Sequence, residues 1–486
     1  MSVNPLQPTI IPRNKHAISR KWISPNAVKV LYRLRERGYY AYLVGGSVRD
    51  LLLGREPKDF DVATDATPNE VKKIFRNCRL IGRRFRLAHI HFHDEIIEVA
   101  TFRSSVADEP EPEPAPVEPE AAAPAGEAGE SGQPGPSESP AAEPTQPPKP
   151  RPPRMLKTED GMILRDNVFG TPEEDAIRRD FTVNALFYNI ADFSVIDYVG
   201  GMEDLSRGMI RLIGDPMVRF TEDPVRMVRA VRFAALLGFE IEPATLQALL
   251  ELRDRVALAS PSRMYEEVLK LFLKGEGEKT YQLLRKTGLF GVIFPALNTW
   301  VDTESDGFPH IWIGKSLEWV DTCVQAGRQV PPHILFGLMF GQYMEERARQ
   351  LRASGSAPLE ALTGAVSAVL SEQAARVQIP KKTGLAMRDM YWNQQRFEKR
   401  EGKNPRYFLR RPGFSDAFEY LRFTAETTGE QQELRAWWKE FIRTHPVTAS
   451  EEQEVLANRE KRGRPRRRRR RGGKGRPRGP VPKSDN

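Results

Sequence analysis

The chain has 486 residues, a formal net charge of +9 and only two cysteines. That length allows two or three domains, while Cys78 and Cys323 are too few and too far apart for a disulfide framework or a Cys-ligated zinc site. No apolar run could span a bilayer and the N-terminus has no apolar signal core, so a protein of the reducing cytoplasm with no membrane partner is expected.

Along the chain, residues 1–23 read as an N-terminal arm. Residues 24–37 (SPNAVKVLYRLRER) form an amphipathic helix, with Ser24 as N-cap and Pro25 in the first turn. A short apolar strand follows at 40–44, then Gly45-Gly46 turns into a helix at 47–53. Strand character resumes near Lys58 and runs to Thr64. Thr67-Pro68-Asn69-Glu70 is a capping box that starts a helix over 71–75. Residues 89–93 and 96–102 look like strands.

Residues 105–153 (DEPEPEPAPVEPEAAAPAGEAGESG within) cannot bury a core and are expected to be disordered. Within them, 108–148 carries ten acids and no base, whereas 461–478 in the tail carries twelve bases and no acid. Taking both away leaves +7, so the folded part is itself basic, as a polyanion-handling protein requires. The acidic insert is expected to loop out, either competing with a polyanion or folding onto the tail.

Beyond the insert, 162–165 is strand-like. Thr171-Pro172-Glu173-Glu174 repeats the capping box, and 193–198 resumes strand character. From Pro224 onward the periodicity is helical. The pattern is an α/β (α+β) domain followed by an all-α part, ending in a disordered basic tail at 447–486. The run Arg466–Arg471 is an electrostatic arm. Residues 388–411 (RDMYWNQQRFEKREGKNPRYFLRR) interleave bases with aromatics; some of the aromatics are expected in the core and some charges on a polyanion surface.

The chemistry centres on Asp59 and Asp61. In a strand, residues two apart share a face about 6.5–7 Å apart, so both could converge on one metal cluster. Two-metal phosphoryl transfer needs such convergence, and Mg²⁺ prefers carboxylate and phosphate oxygens. Alone, an Asp-x-Asp is as readily an acidic turn. The preceding Val44-Gly45-Gly46-Ser47-Val48-Arg49-Asp50 adds an anion site, in which small residues admit a phosphate to free backbone N–H groups and Arg49 adds a charged donor. Glu98, on a strand face with Ile96 and Ala100, is either a third metal ligand or the partner of Arg103 or Arg86. His89, His91 and His93 lie on one strand face and read as polar surface rather than as a zinc site.

The stretch VGGSVRDLLLGREPKDFDVATDATPNEV resembles the head signature of the class II nucleotidyltransferases of the DNA polymerase β superfamily. That family contains bacterial poly(A) polymerases and tRNA CCA-adding enzymes. The resemblance implies a nucleotidyltransferase head with a mixed sheet over 24–195, an all-α neck over 196–275 and an RNA-binding helical body over 276–446. It also implies that Asp59 and Asp61 hold Mg²⁺, which Mn²⁺ can replace, and that Gly45, Gly46 and Arg49 border the triphosphate of ATP. RRDFTVNAL at 178–186 matches the motif for nucleotide and ribose binding, which brings in Arg179 and Asn184 and places Asp180 with the catalytic aspartates. EDPVRMVRAVRF at 222–233 matches the base-reading motif, in which Asp223 and Arg226 contact the base edge and Arg229 shares the face of Arg226. Asp223 is also placed to cap that helix, with Pro224 at N1. GRRFRLAHI at 82–90, HAISR at 16–20, IPKK at 379–382 and Trp437-Trp438 are similar to the poly(A) polymerase branch. That branch implies a monomer that adds AMP to RNA 3′ ends, with RNA-decay proteins as possible contacts of its arginine-rich tail. CCA addition, or RNA binding without catalysis, are the alternatives.

Overall fold

The computed structural model describes residues 7–82, 86–104, 156–157, 163–165, 169–302 and 310–446. The acidic insert, the arginine-rich tail and Arg83–Phe85 of the GRRFRLAHI stretch therefore lie outside the described residues. The chain divides into two units, Met1–Asn298 with Arg376–Gln378, and Thr299–Ala375 with Ile379–Asn486.

The first unit is built on an eight-stranded mixed sheet. Its strands are β1 (Thr9–Ile11), β2 (Ala41–Val44), β3 (Asp61–Thr64), β4 (Cys78–Ile81), β5 (Leu87–His91) and β6 (Ile96–Thr101), with β9 (Leu186–Asn189) and β10 (Val195–Asp197) added later. Between these, β7 (Leu156–Lys157) and β8 (Ile163–Arg165) pair only with each other. The spatial order of the large sheet is β1-β10-β9-β2-β3-β6-β5-β4. Only β3 and β6 run parallel; every other neighbouring pair is antiparallel.

Helix α1 (Pro25–Glu36) covers one face of the sheet. Ser24 accepts from the N–H groups of Asn26 and Ala27, and Pro25 stands at N1. Ala27, Val30, Leu31 and Leu34 are fully buried at the i, i+3, i+4, i+7 spacing. Burying each of the larger three contributes about 1.5–3 kcal/mol. Helix α2 (Gly46–Leu52) leaves the end of β2. Helix α3 (Pro68–Ile74) starts on a capping box in which both Thr67 and Glu70 make their bonds. Helix α4 (Pro172–Arg178) repeats it with Thr171 and Glu174. The face of the sheet bearing Tyr42, Val44 and Ala63 packs with Phe102, Ala176, Ala185 and Phe187 into a core cluster.

The strand expected near Lys58 begins only at Asp61, so Asp59 lies in the loop before it. Val44 pairs with Asp61, and beyond Val44 the chain turns at Gly45. Residue 59 has no partner strand left on that side. The strand expected from Phe193 begins at Val195, because Phe193 adopts φ 61° in the turn.

Helical elements follow: α5 (Gly201–Arg207), α6 (Pro216–Glu222), α7 (Val225–Leu237), α8 (Pro243–Leu252), α9 (Pro261–Phe272), α10 (Gly277–Lys286), α11 (Leu289–Ile293) and α12 (Pro295–Asp302). The second unit is helical, from α13 (His310–Gln325) to a final helix at Gln432–Thr444. Its aromatic cluster contains Phe397, Phe408, Phe414 and Trp438. Of the aromatics at 388–411, Tyr391 and Phe397 are core residues, and the Tyr391 hydroxyl donates to the Gly337 carbonyl. Tyr407 is exposed and adjoins exposed Arg406.

Candidate active site

A cavity of about 730 Å³ opens in the first unit where β2, α2, β3, α7 and α9 meet. That volume suits a nucleotide-sized ligand. Ten Arg or Lys side chains and six carboxylates line it, so its walls favour an anion.

Gly45 makes the entry turn. Its φ 73° and ψ −137° are open to glycine and costly to other residues. A Cβ there would lie 3.3 Å from Nη1 of Arg179 and 4.0 Å from a carboxylate oxygen of Asp61. A Cβ on Gly46 would meet nothing closer than Arg49, at 3.5 Å. Gly45→Ala should therefore cost about 1–3 kcal/mol of stability in a thermal melt. It should also impair nucleotide use, whereas Gly46→Ala should disturb stability by less than about 1 kcal/mol.

The sheet register sets a row of polar groups. Asp61 is paired with Glu98 across the parallel β3–β6 ladder, and Glu98 with His89 across β6–β5. Neighbouring strands are about 4.8 Å apart, so Glu98 stands directly beside Asp61. Among the described residues the hydrogen-bond partner of the Glu98 carboxylate is the His89 ring, at 3.2 Å, rather than Arg103 or Arg86. Burial, the Glu98 charge and the exposed Asp59 push the Asp61 carboxyl up to about 6, against the pull of Arg179. Asp59 and Asp61 line the cavity and Glu98 stands beside Asp61 in the sheet, so three carboxylates repel one another there, the condition a divalent cation relieves. Among the described residues no three His, Cys, Asp or Glu side chains form a ready-made metal cluster. Mg²⁺ does not require one, since it commonly uses one or two carboxylates with water and substrate phosphates. His89 and His91 have ring centroids 6.3 Å apart, and His93 lies outside the strand.

The other motifs are joined by a chain of hydrogen bonds. Arg49 is buried; two of its nitrogens donate to Asp50, and Nη1 donates to the Asn184 side-chain oxygen at 2.6 Å. The Asn184 amide donates to Asp180 at 3.4 Å. Asp180 accepts from Nε of Arg229 at 2.7 Å, from its Nη2, and from the Phe181 N–H at 2.9 Å. Burial would raise this carboxyl, but the Arg229 charge and these donors outweigh it and hold it at about 2. Asp180 is thus engaged with Arg229 and Asn184. Arg179 leans back on Asp175 through Nε and Nη2, with Nη1 on the Asn184 carbonyl at 3.4 Å.

Asp223 and Arg226 both line the cavity but bond elsewhere. Asp223 takes a two-point bond from Arg263 at 2.8 and 2.7 Å. Arg226 donates to the Arg219 carbonyl at 2.9 Å and lies 3.6 Å from Glu222. Helix α7 begins at Val225 with Pro224 before it, so Asp223 stands one position earlier than a regular N-cap. It still accepts from the Val225 N–H, and it closes α6.

Residues 41–211 match the family described as Poly A polymerase head domain. Residues 238–301 match a probable RNA and SrmB-binding site of polymerase A, and 354–473 match the polymerase A arginine-rich C-terminus. Poly(A) polymerase I of Salmonella typhimurium is 44% identical over 466 residues, covering 94% of this chain and 92% of that protein. The chain belongs to the poly(A) polymerase family. The CCA-adding enzyme of Bacillus pumilus is 33% identical over 54% of each protein, a more distant relative. A solved tRNA-processing enzyme in its apo form has a TM-score of 0.53 and 20% identity, covering 90% of this chain and 97% of that one, which shows the shared fold.

In this poly(A) polymerase family member, several residues in and behind the cavity carry no role in the sequence motifs, although Arg55, Lys58, Arg232 and Phe233 lie within the matched stretches. Glu267 is buried on α9, receives Arg232 at 2.9 Å and Lys270 at 3.0 Å, and has Arg229 at 3.9 Å. Burial lowers the Arg232 guanidinium to about 10 despite Glu267. Phe233 packs against three guanidinium groups, with Arg49, Arg229 and Arg232 at 5.3, 5.5 and 4.7 Å from the ring centroid. Arg55, Lys58, Arg263 and Lys274 complete the basic lining. Glu267 alone left a readable signal: it shares the apolar stripe of Met264, Val268 and Leu271, where an unpaired acid would be costly. Arg263 sits in a separate helix from Asp223, and only the tertiary fold joins them.

Proposed function

We propose that this chain transfers AMP from ATP to the 3′-hydroxyl of RNA without a template, releasing pyrophosphate. The crowding of Asp61, at the wall of a cation-lined, nucleotide-sized cavity, by Asp59 and by Glu98 on the neighbouring strand is the observation that supports this most. Asp59 and Asp61 would hold Mg²⁺ or Mn²⁺, with Glu98 beside them. Of two such ions, one would lower the pKa of the attacking hydroxyl and the other would neutralise the triphosphate and leaving pyrophosphate. Gly45 and Gly46 let the phosphates approach the N-terminus of α2. Arg49 and Asn184, bonded to each other, and Arg179 are assigned to the nucleotide. Asp223 and Arg226 are assigned to the base edge, with Arg263 holding Asp223 and with Arg229 and Asp180 fixing the wall behind. Residues 24–195, 196–275 and 276–446 serve as head, neck and RNA-binding body.

No helix among the described residues is long and apolar enough to cross a membrane. Cys78 and Cys323 are both free and buried. Both observations are compatible with work in the cytoplasm, and we assign the protein there as a monomer acting on RNA ends. The proposed contact of the tail with RNA-decay proteins lies outside the described residues.

The test is purified protein with Mg²⁺, a non-tRNA primer and each nucleoside triphosphate alone. Long tails with ATP only are expected. Extension confined to tRNA with CTP and ATP would overturn the reading in favour of CCA addition. Binding without incorporation would make the chain a non-catalytic RNA binder.

A further inference from the structure

A second groove, of about 680 Å³, runs along α1 and shares no lining residue with the active-site cavity. Lys29, Arg33 and Arg37 line it at four-residue spacing, so they follow one side of the helix. All three are exposed, and among the described residues none has a carboxylate partner. Glu36 is the single acid of α1. The Arg33 guanidinium lies over the Phe75 ring, 5.3 Å from its centroid. Trp22, just before the helix, is 66% exposed, and Tyr40, just after it, is 64% exposed.

Cations without carboxylate partners on a helix flanked by exposed aromatic rings suit a flexible polyanion that has bases to stack. An acidic protein would use the cations and leave the rings without partners. Helix α1 leads into β2, and Gly45 follows the other end of that strand. Tyr40 therefore lies about 16 Å along the strand from the entry turn. RNA seated here would be nucleotides upstream of its reacting end.

We propose that the exposed face of α1 is a second contact for single-stranded RNA, engaged only by substrates long enough to reach it. The proposal rests on the reading of RNA as substrate. Three reversals made together, Lys29→Glu, Arg33→Glu and Arg37→Glu, should weaken binding of an oligoadenylate of about 40 nucleotides about tenfold at low salt. The slope of log affinity against log salt should fall by about 2, from roughly 0.7 for each phosphate that is no longer neutralised. Extension of a primer of about four nucleotides by ATP should be unchanged. A second variant, Trp22→Ala with Tyr40→Ala, should weaken the long oligonucleotide several-fold and keep the slope.

An unchanged affinity and slope would overturn the proposal, and so would an equal loss for both lengths. If polyglutamate displaces the long oligonucleotide as well as polyuridylate does at equal charge, the face belongs to an acidic protein and the proposal falls. Failure of the wild-type protein to extend the short primer would instead count against the polymerase reading, which keeps the two apart.

Discussion

Asp61→Asn should lower AMP incorporation by at least about a thousandfold, because a metal-held carboxylate contributes several kcal/mol to the transition state. Its effect on stability should have the opposite sign. Asp61 titrates at about 6 in the fold, above its ordinary 3.8. A carboxyl that binds its proton more tightly when folded makes stability fall as pH rises from about 4 through about 6. At pH 7 without metal, the charged Asp61 therefore burdens the fold by roughly 1–3 kcal/mol. The asparagine variant should melt at the same temperature as the parent or higher. Mg²⁺ should raise the parent's melting temperature at pH 7, by stabilising the state that binds it, and raise the variant's much less. Calorimetry with and without Mg²⁺ reads both effects. A variant that is active, or that gains as much from Mg²⁺ as the parent, would remove Asp61 from the metal site.

Asp180→Asn tests the other half of the site. The Asp180–Arg229 pair is mostly enclosed, with side-chain exposures of 11% and 28%. Removing one partner of a buried pair costs about 3–5 kcal/mol, and the partial exposure of Arg229 puts the expected loss near the lower end, about 3 kcal/mol. The folded pKa of about 2 lies below 3.8, so this stabilisation is complete above about pH 4 and is lost as pH falls toward 2. Denaturant titrations of parent and variant should differ most at neutral pH and converge only as pH falls to about 2 and below. Activity should fall as well, since Arg229 also borders the cavity. An inactive variant with unchanged stability at every pH would place Asp180 among the catalytic carboxylates and give the pair no structural weight.

These two carboxylates show how far the amino-acid order reaches. Capping boxes depend on residues three apart, and both Thr67–Glu70 and Thr171–Glu174 form as their spacing predicts. The apolar spacing of α1 likewise follows from local periodicity. Short strands are less legible. β4 has four residues in an edge position, and β1 has three, so neither leaves a long alternation. Alternation extends the strand back over Asp59 because it does not show where the partner strand stops. The surroundings of Glu98 stay open to two readings in sequence, because its neighbour depends on a parallel register between strands separated by α3, β4 and β5.

What the order of residues determined by itself is the list of reactive groups and their local frames. Asp59 and Asp61, the glycine turn, RRDFTVNAL and EDPVRMVR are short-range patterns, each held by one turn or one helix. What only the tertiary structure decided is which polar group answers which guanidinium. Arg49 meets Asn184, Arg229 meets Asp180, and Arg263 meets Asp223 across 135, 49 and 40 residues of sequence. A guanidinium can pair with any carboxylate in the chain; packing of α2, α7 and α9 around one cavity selects the partner. Burial, with the Glu98 charge beside it, raises the pKa of Asp61, and pairing with Arg229 overcomes burial and lowers that of Asp180, so the two fall on opposite sides of the ordinary carboxylate value.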